Sequence, residues 1–300
     1  MALVQYSESE SESEPDSPQR PTKRPRQTSN LGNQPSSLPP LPAAFHDLYA
    51  SSTRVSVRDD PSLHGGRKRV IPHVEGNWPT HIYLEWYPTK EELSLLSQLI
   101  AQMEGQLDDH GTKLHSLLHS DLGARLPLHI SLSRPVVLRT EQRQPFLEEF
   151  QAAMKQSNLS TFDVTLQSLD CVSNYEKTRW FYVLRAERPE DDGLNRLLGL
   201  SNQCLSQFEQ PPLYELPQDA IASPKANDTR VAQADGQTRN DYSHCFHVSL
   251  AWSLTDPSSR ERGQIARIHL RKVHELRIRF GCVKVKIGNH ISSIPLRSGV

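Results

Sequence analysis

The sequence has few of the features that mark secreted, redox-active or membrane proteins. Its four cysteines, Cys171, Cys204, Cys245 and Cys282, are scattered and form no Cys-x-x-Cys pair. That spacing indicates neither a zinc knuckle nor a redox dithiol. The chain shows no signal peptide, and no apolar run reaches the roughly 18 residues that a membrane helix needs. We therefore expect a soluble intracellular protein, with no membrane association and with reduced cysteines.

Metal-ligating patterns are scarce as well. His115 and His119 are four residues apart, the spacing of one helix face, and imidazole is a common metal ligand. However, no Asp, Glu or Cys stands at a supporting distance, so a surface helix is the favoured interpretation. We expect no metal and no cofactor.

The net charge of -1 hides an uneven distribution. Residues 1–18 hold five acids and no Lys or Arg, whereas residues 260–300 hold ten Lys and Arg against two acids. A basic end allows a polyanionic partner such as RNA, and a solvated surface explains the charge equally well. Nothing in the sequence points to an obligatory protein partner.

Composition divides the chain into a tail and a body. Residues 1–43 contain the acidic run 7–18 (SESESESEPDSP) and cannot bury enough apolar surface to order themselves. The basic cluster 20–26 (RPTKRPR) in this disordered tail predicts nuclear import, with a functionless charged patch as the alternative. Residues 44–300 are predicted to form a single bilobal domain.

The body repeats one order of elements. Helix, strand, helix, strand and strand are predicted over about 89–186 and again over about 190–296. A capping box at Thr89 and Glu92 begins the first helix, and a polar, mobile loop is expected over 215–243. The fold class is therefore α+β: two antiparallel sheets related by a pseudo-two-fold axis, with helices outside.

A short motif occurs once in each repeat, in an equivalent place. It reads Leu-His-Ile-Ser-Leu over 128–132 and Phe-His-Val-Ser-Leu over 246–250. Alternation of period two places His129 with Ser131, and His247 with Ser249, on one face of each strand. A single His-x-Ser is a weak signal, but two in equivalent strands predict a shared site in a central cleft.

Two histidines and two hydroxyls suit the cleavage of an RNA phosphodiester. One neutral histidine accepts the proton of the ribose 2′-OH, and one imidazolium protonates the leaving 5′-oxygen. Ser131 and Ser249 would donate hydrogen bonds to the non-bridging oxygens of the phosphate. The product is a 2′,3′-cyclic phosphate. Among nearby aromatics, Tyr242 is the better base-stacking candidate, and Trp78 and Trp252 are expected in the core.

Six stretches carry a resemblance to a known family. They are 66–73 (GRKRVIPH), 76–83 (GNWPTHIY), 128–135 (LHISLSRP), 176–179 (EKTR), 246–252 (FHVSLAW) and 287–296 (IGNHISSIPL). With its paired motifs, the chain resembles the two-histidine (2H) phosphoesterase superfamily and, within it, the U6 small nuclear RNA phosphodiesterases.

The resemblance implies a metal-independent nuclear 3′→5′ exonuclease that trims the uridine-rich 3′ end of U6 RNA. It implies that His247 is the general base, His129 the general acid, and Ser131 and Ser249 the phosphate-binding residues. It also implies that a tyrosine ahead of the second motif, here Tyr242, stacks on a base. Two other functions stay open: a 2′,3′-cyclic nucleotide phosphodiesterase, and a non-catalytic RNA-binding splicing factor. Whether the cyclic phosphate is opened to a monophosphate is also open.

Overall fold

The computed structural model describes residues 74–107, 113–120, 122–174, 176–215, 230–231 and 239–298. The predicted tail over 1–43 lies outside these ranges, as does most of the predicted loop over 215–243. The division into tail and body, the import cluster and the loop therefore stay predictions.

The described residues form short strands and helices in an alternating order. The strands are β1 (Asn77–Trp86), β2 (His115–Ser116), β3 (Leu128–Ser131), β4 (Val136–Arg139), β5 (Phe162–Val164), β6 (Leu166–Ser173), β7 (Trp180–Ala186), β8 (Arg230–Val231), β9 (Arg239–Asn240), β10 (His247–Ser253), β11 (Ile278–Phe280), β12 (Cys282–Ile287) and β13 (His290–Pro295). The helices are α1 (Lys90–Glu104), α2 (Arg143–Ser157), α3 (Gly193–Gln207), α4 (Ser259–Ile265) and α5 (Arg271–His274).

Two antiparallel sheets dominate the fold. Sheet 1 has the strand order β13-β12-β1-β3, with β4 also paired to β1. Sheet 2 has the order β2-β10-β7-β6. The first motif is on β3 and the second on β10, and these two strands contact each other although they belong to different sheets. The predicted α+β class with one motif strand in each antiparallel sheet is confirmed.

The sheets do not follow the order of the predicted sequence units. The β6–β7 hairpin of the first unit pairs with β10 of the second, and the β12–β13 hairpin of the second pairs with β1. Each sheet therefore joins strands from both units. The strands find partners that bury their apolar faces, and these partners are far apart in sequence.

The predicted capping box begins α1. Thr89 Oγ1 accepts a hydrogen bond from the Glu92 amide at 3.2 Å, and Glu92 Oε2 accepts one from the Thr89 amide at 2.7 Å. These bonds satisfy N–H groups that a helix start otherwise leaves without partners. The apolar face of α1, including Leu96 and Met103, is buried, and the helix packs on β10. Its burial thus supports the second motif strand.

A glycine turn closes the β12–β13 hairpin beside β1. Gly288 has a φ of +61°, and a Cβ there would lie 2.5 Å from Trp78. Both the left-handed backbone and the close approach of the indole favour glycine. Trp78 is itself half-buried, donates from Nε1 to Thr140 at 3.0 Å and stacks under the Arg143 guanidinium at 3.8 Å. The hairpin is thereby fixed against the start of β1.

Two local predictions were wrong. His115 and His119 do not share a helix face, because His115 lies on β2 and stacks on Trp252 with ring centroids 4.2 Å apart. His119 instead forms an isolated bridge with Arg125. In the second repeat, the second predicted helix is instead two short helices, α4 and α5. Trp252 is buried in the core, as predicted.

Candidate active site

The first motif lies on the outer strand of sheet 1. On β3, Leu128 and Ile130 are buried, whereas His129 is exposed and Ser131 half-buried. The alternation of the sequence therefore places His129 and Ser131 together on the open face. In the antiparallel register, Glu85 of β1 stands opposite His129, and Tyr83 stands opposite Ser131.

The second motif lies at the start of β10. Val248 and Leu250 are fully buried, and His247 and Ser249 are half-buried on the other face. A register shift between Ser249 and Ala251 follows directly. Such a bulge bends the strand and changes the direction of the side chains beside it. Strand β2 pairs with β10 only beyond this bulge, so it does not pair with His247 or Ser249.

The carbonyl of Cys245 holds the second histidine. It accepts from His247 Nδ1 at 2.7 Å, from the Tyr214 hydroxyl at 3.1 Å and from Arg185 Nη1 at 3.3 Å. A carbonyl oxygen only accepts hydrogen bonds, so the neutral His247 ring carries its proton on Nδ1. Its Nε2 is then left with a lone pair. This is the tautomer that a general base needs.

Each motif histidine has a lowered pKa. Burial lowers the pKa of His129 to about 4, and the charge of His247 contributes. Although the His129 ring reaches solvent, protein atoms crowd the rest of its surroundings. Burial also lowers the pKa of His247, while its hydrogen bond to Cys245 acts in the opposite direction. A positive charge on His247 thus disfavours a positive charge on His129.

A third histidine, His81 on β1, belongs to the same site. Its Nε2 lies 3.1 Å from Ser131 Oγ. Its ring meets His129 edge-on at 5.4 Å and stacks on Tyr83 at 5.1 Å. No role is predicted for it from the sequence, although it stands between the buried Thr80 and Ile82 of a core strand. Its place in the stretch 76–83, one of the six that carry the family resemblance, was the available signal.

Charged side chains surround the motifs. On the sheet 1 side, Lys284 pairs with Glu85 at 3.3 Å, and both are largely buried. Lys286 stands opposite His81 in the strand register. On the sheet 2 side, Arg185 stands opposite His247 and pairs with Asp170 at 2.6 Å. Glu85 and Asp170 partly offset the positive charges of Lys284 and Arg185.

Tyr242 lies beside the site, in the segment that leads to β10. Its amide donates to Asn195 Oδ1 at 3.0 Å, and its ring is 6.2 Å from that of Tyr214. The half-buried ring also lines a cavity of about 710 Å³ between α2 and α3. Tyr214, whose hydroxyl reaches the Cys245 carbonyl, therefore connects Tyr242 to His247. Base stacking by Tyr242 stays a prediction.

The described ranges contain neither a cluster of metal ligands nor a membrane-spanning helix. No group of three or more His, Cys, Asp or Glu side chains there is arranged to hold a metal ion. None of the helices in the same part of the chain has the length and apolar content needed to cross a bilayer.

Comparison with known proteins identifies relatives across most of the chain. The family model HVSL, described as an uncharacterised conserved protein, matches residues 39–295. The U6 snRNA phosphodiesterase 1 of Neurospora crassa is 32% identical over 87% of this chain and 75% of its own length. The human protein of the same name is 28% identical over 98% of both chains.

A solved structure shares the fold. Kluyveromyces marxianus Usb1, solved with uridine monophosphate, superimposes with a TM-score of 0.53 at 16% identity, over 73% of this chain and 98% of that one. This likeness supports the α+β fold with two antiparallel sheets. From the family match over residues 39–295 and the near-complete alignment with curated relatives, the chain belongs to the HVSL family of U6 snRNA phosphodiesterases.

Proposed function

We propose that the chain is a 3′→5′ RNA exonuclease that trims the uridine-rich 3′ end of U6 snRNA without a metal ion. The observation that carries the proposal is the contact of β3 with β10, which gives one site a histidine and a serine from each sheet. The proposed substrate, U6 snRNA, is inferred from curated relatives named U6 snRNA phosphodiesterase. The binding partner proposed for the chain is therefore single-stranded RNA.

The geometry around His247 suits the general base. With its proton held on Nδ1 by the Cys245 carbonyl, Nε2 accepts the proton of the ribose 2′-OH. The 2′-oxygen then forms a bond to the adjacent phosphorus, and the bond to the 5′-oxygen of the terminal nucleoside breaks. The shortened RNA ends in a 2′,3′-cyclic phosphate. The nucleophile belongs to the substrate, so two proton transfers complete the step.

The surroundings of His129 suit the general acid. An imidazolium whose pKa lies near 4 gives up its proton readily, and the leaving 5′-oxygen needs one. An anionic phosphate in the site favours the charged ring and raises this pKa. Substrate binding therefore loads His129 with the proton that it delivers. Ser131 and Ser249 donate to the non-bridging oxygens, where negative charge grows.

The proposed site residues also order the substrate. Tyr242 would stack on a base of the RNA end, as single-strand recognition often requires. Lys286 adds a positive charge beside the first motif, and Arg185 carries one beside the second that Asp170 partly offsets. The RNA backbone carries one negative charge per phosphate, so these cations favour its approach.

The proposed place of action is the nucleus. The basic cluster 20–26 would act as the import signal within a disordered tail of 1–43, with 44–300 as the catalytic domain. A reporter fused to residues 1–43 should accumulate in nuclei, and one with the four Arg and Lys of the cluster changed to Ala should not. A reporter distributed evenly between nucleus and cytoplasm would contradict the proposed import role of residues 1–43.

A trimming assay tests the proposed reaction. A synthetic RNA with several 3′ uridines is incubated in EDTA with the wild type, His129→Ala, His247→Ala and the control His269→Ala. His269 is exposed on the α4–α5 connection, which borders helices packed on β6. We expect shortening by the wild type and the control, and a loss of about a thousandfold in each motif variant.

A modified substrate tests whether the ribose 2′-OH is the nucleophile. An RNA with 2′-deoxyribose at the penultimate nucleotide binds but lacks the attacking hydroxyl, so it should stay intact. Mass spectrometry of the new ends shows whether the cyclic phosphate persists or is opened. Trimming of the deoxy substrate, or dependence on added metal, contradicts the mechanism. Hydrolysis of small cyclic nucleotides without any shortening of RNA would favour the cyclic phosphodiesterase instead.

A further inference from the structure

His81 contacts the first motif from a neighbouring strand. Its Nε2 is 3.1 Å from Ser131 Oγ, and its ring stacks on Tyr83 with an interplanar angle of 23°. The His129 ring meets the His81 ring edge-on, with the ring centroids 5.4 Å apart. The imidazole therefore touches both residues of the motif, and its rotation is restricted by two flanking rings.

The backbone fixes this contact. The Leu132 and Ser133 amides both donate to the Ile82 carbonyl, at 2.9 and 3.2 Å. The Ile82 amide donates in return to Ser133 Oγ at 2.9 Å. These bonds lie within two residues of His81 on β1 and of Ser131 on β3. Ser133 is buried, so water does not compete for them.

We propose that His81 is a positioning residue, which holds the Ser131 hydroxyl so that it donates to a non-bridging oxygen of the scissile phosphate. The proposal requires that the neutral ring carries its proton on Nε2 and donates it to Ser131 Oγ, 3.1 Å away. The hydroxyl proton of Ser131 is then free for the phosphate. A fixed donor needs no reorganisation when charge develops in the transition state, so the contact acts on kcat more than on KM.

The surroundings keep His81 out of the acid–base chemistry. Burial lowers its pKa to about 3, and the charges of His129 and Lys286 act in the same direction, against a hydrogen bond to the Ser133 backbone. The His81 ring therefore stays neutral while His247 accepts a proton from the substrate and His129 donates one to it. Its role differs from theirs, because it acts through Ser131.

A double-mutant cycle tests this role on the full chain with the uridine-ended RNA. The variants are His81→Ala, Ser131→Ala and the two combined, with kcat and KM measured for each. We expect Ser131→Ala to lower kcat about a hundredfold and His81→Ala about tenfold. In the Ser131→Ala background, the His81 change should have no further effect, because the hydroxyl that it orients is gone. Multiplied losses in the double variant would overturn the assignment.

A conservative variant separates positioning from general damage to β1. The terminal amide of glutamine stands near the position of imidazole Nε2, so His81→Gln should recover most of the kcat that His81→Ala loses. Asparagine is one bond shorter, and His81→Asn should not recover it. A His81→Gln variant no better than His81→Ala would speak against the role. His115→Ala, which removes a comparable stack on Trp252, is the matched control and should keep its activity.

This role rests on the proposed function, and the experiment tells the two apart. If the wild type fails to shorten the RNA, or if His129→Ala stays fully active, the proposed function fails. If both behave as expected and the cycle is additive, only the role of His81 fails. Thermal midpoints are recorded for every variant, so that a loss of folded protein is not counted as a loss of turnover.

Discussion

The two motif strands have nearly the same sequence but different support. On β3, His129 and Ser131 are held by side chains of the adjacent strand, namely His81 and Tyr83. On β10, His247 is held by a backbone carbonyl that Tyr214 and Arg185 also contact. Within the described ranges, the Ser249 hydroxyl has no hydrogen-bonding histidine comparable to His81.

This difference supports the two roles proposed for the histidines of one motif. The Cys245 carbonyl stabilises a proton on His247, which makes its other nitrogen more basic. The influences on His129, burial and the charge of His247, both lower its pKa and make its imidazolium a stronger acid. The proposed assignment of acid and base therefore rests on the environment of each histidine, since the motif sequence is nearly the same.

The largest effect on cleavage is expected for substitution of either histidine, and a change of leaving group should distinguish the two proposed roles. His129→Ala and His247→Ala should each lower cleavage of ordinary RNA about a thousandfold. A substrate with sulfur in place of the bridging 5′-oxygen leaves as a thiolate and needs no acid. It should restore cleavage by His129→Ala and leave His247→Ala inactive. The reverse pattern would exchange the proposed roles.

The pH dependence should show the same asymmetry. The productive free protein needs His247 neutral and His129 charged. Because the pKa of His129 is about 4, its charged fraction falls tenfold per unit over the range of about pH 6.5 to about pH 8.5. We expect kcat/KM to fall by up to about a hundredfold there. A bound phosphate raises the pKa of His129, so kcat should fall only at higher pH. A kcat/KM that rises across this range would contradict this protonation scheme.

A smaller effect is expected at Tyr214. Tyr214→Phe removes one of the donors to the Cys245 carbonyl and leaves those of His247 and Arg185. We expect kcat to drop about threefold to tenfold, equivalent to about 1 kcal/mol. Tyr87→Phe, at an exposed tyrosine, is the control and should match the wild type.

The smallest effect on turnover is expected at the hairpin that supports only sheet 1. Gly288→Ala places a methyl group against Trp78 and strains a left-handed residue, and should lower the free energy of unfolding by about 1–3 kcal/mol. Gly123→Ala has a similar φ of +74° and open space, so it isolates the backbone strain. Denaturant unfolding measures both. Equal losses would mean that the contact with Trp78 adds nothing. The activity of the folded fraction should be unchanged in both.

Local patterns in the sequence predicted local structure well. Thr89 and Glu92 predicted the start of α1, because a capping box acts within four residues. The period-two alternation around His129 and His247 predicted which side chains share a face. By contrast, His115 and His119 were assigned to a helix, and the pairing of β2 with β10 placed His115 on a strand.

The chemistry of the site follows from the sequence, and its assembly depends on tertiary structure. The alternation of residues determined that a histidine and a serine point the same way from each motif strand, and the repeat determined that there are two such strands. Only the folded chain decided that β3 and β10 meet, that β1 adds His81, and that the Cys245 carbonyl sets the tautomer of His247. These contacts join residues remote in sequence, and burial of the apolar faces of the two sheets selects them.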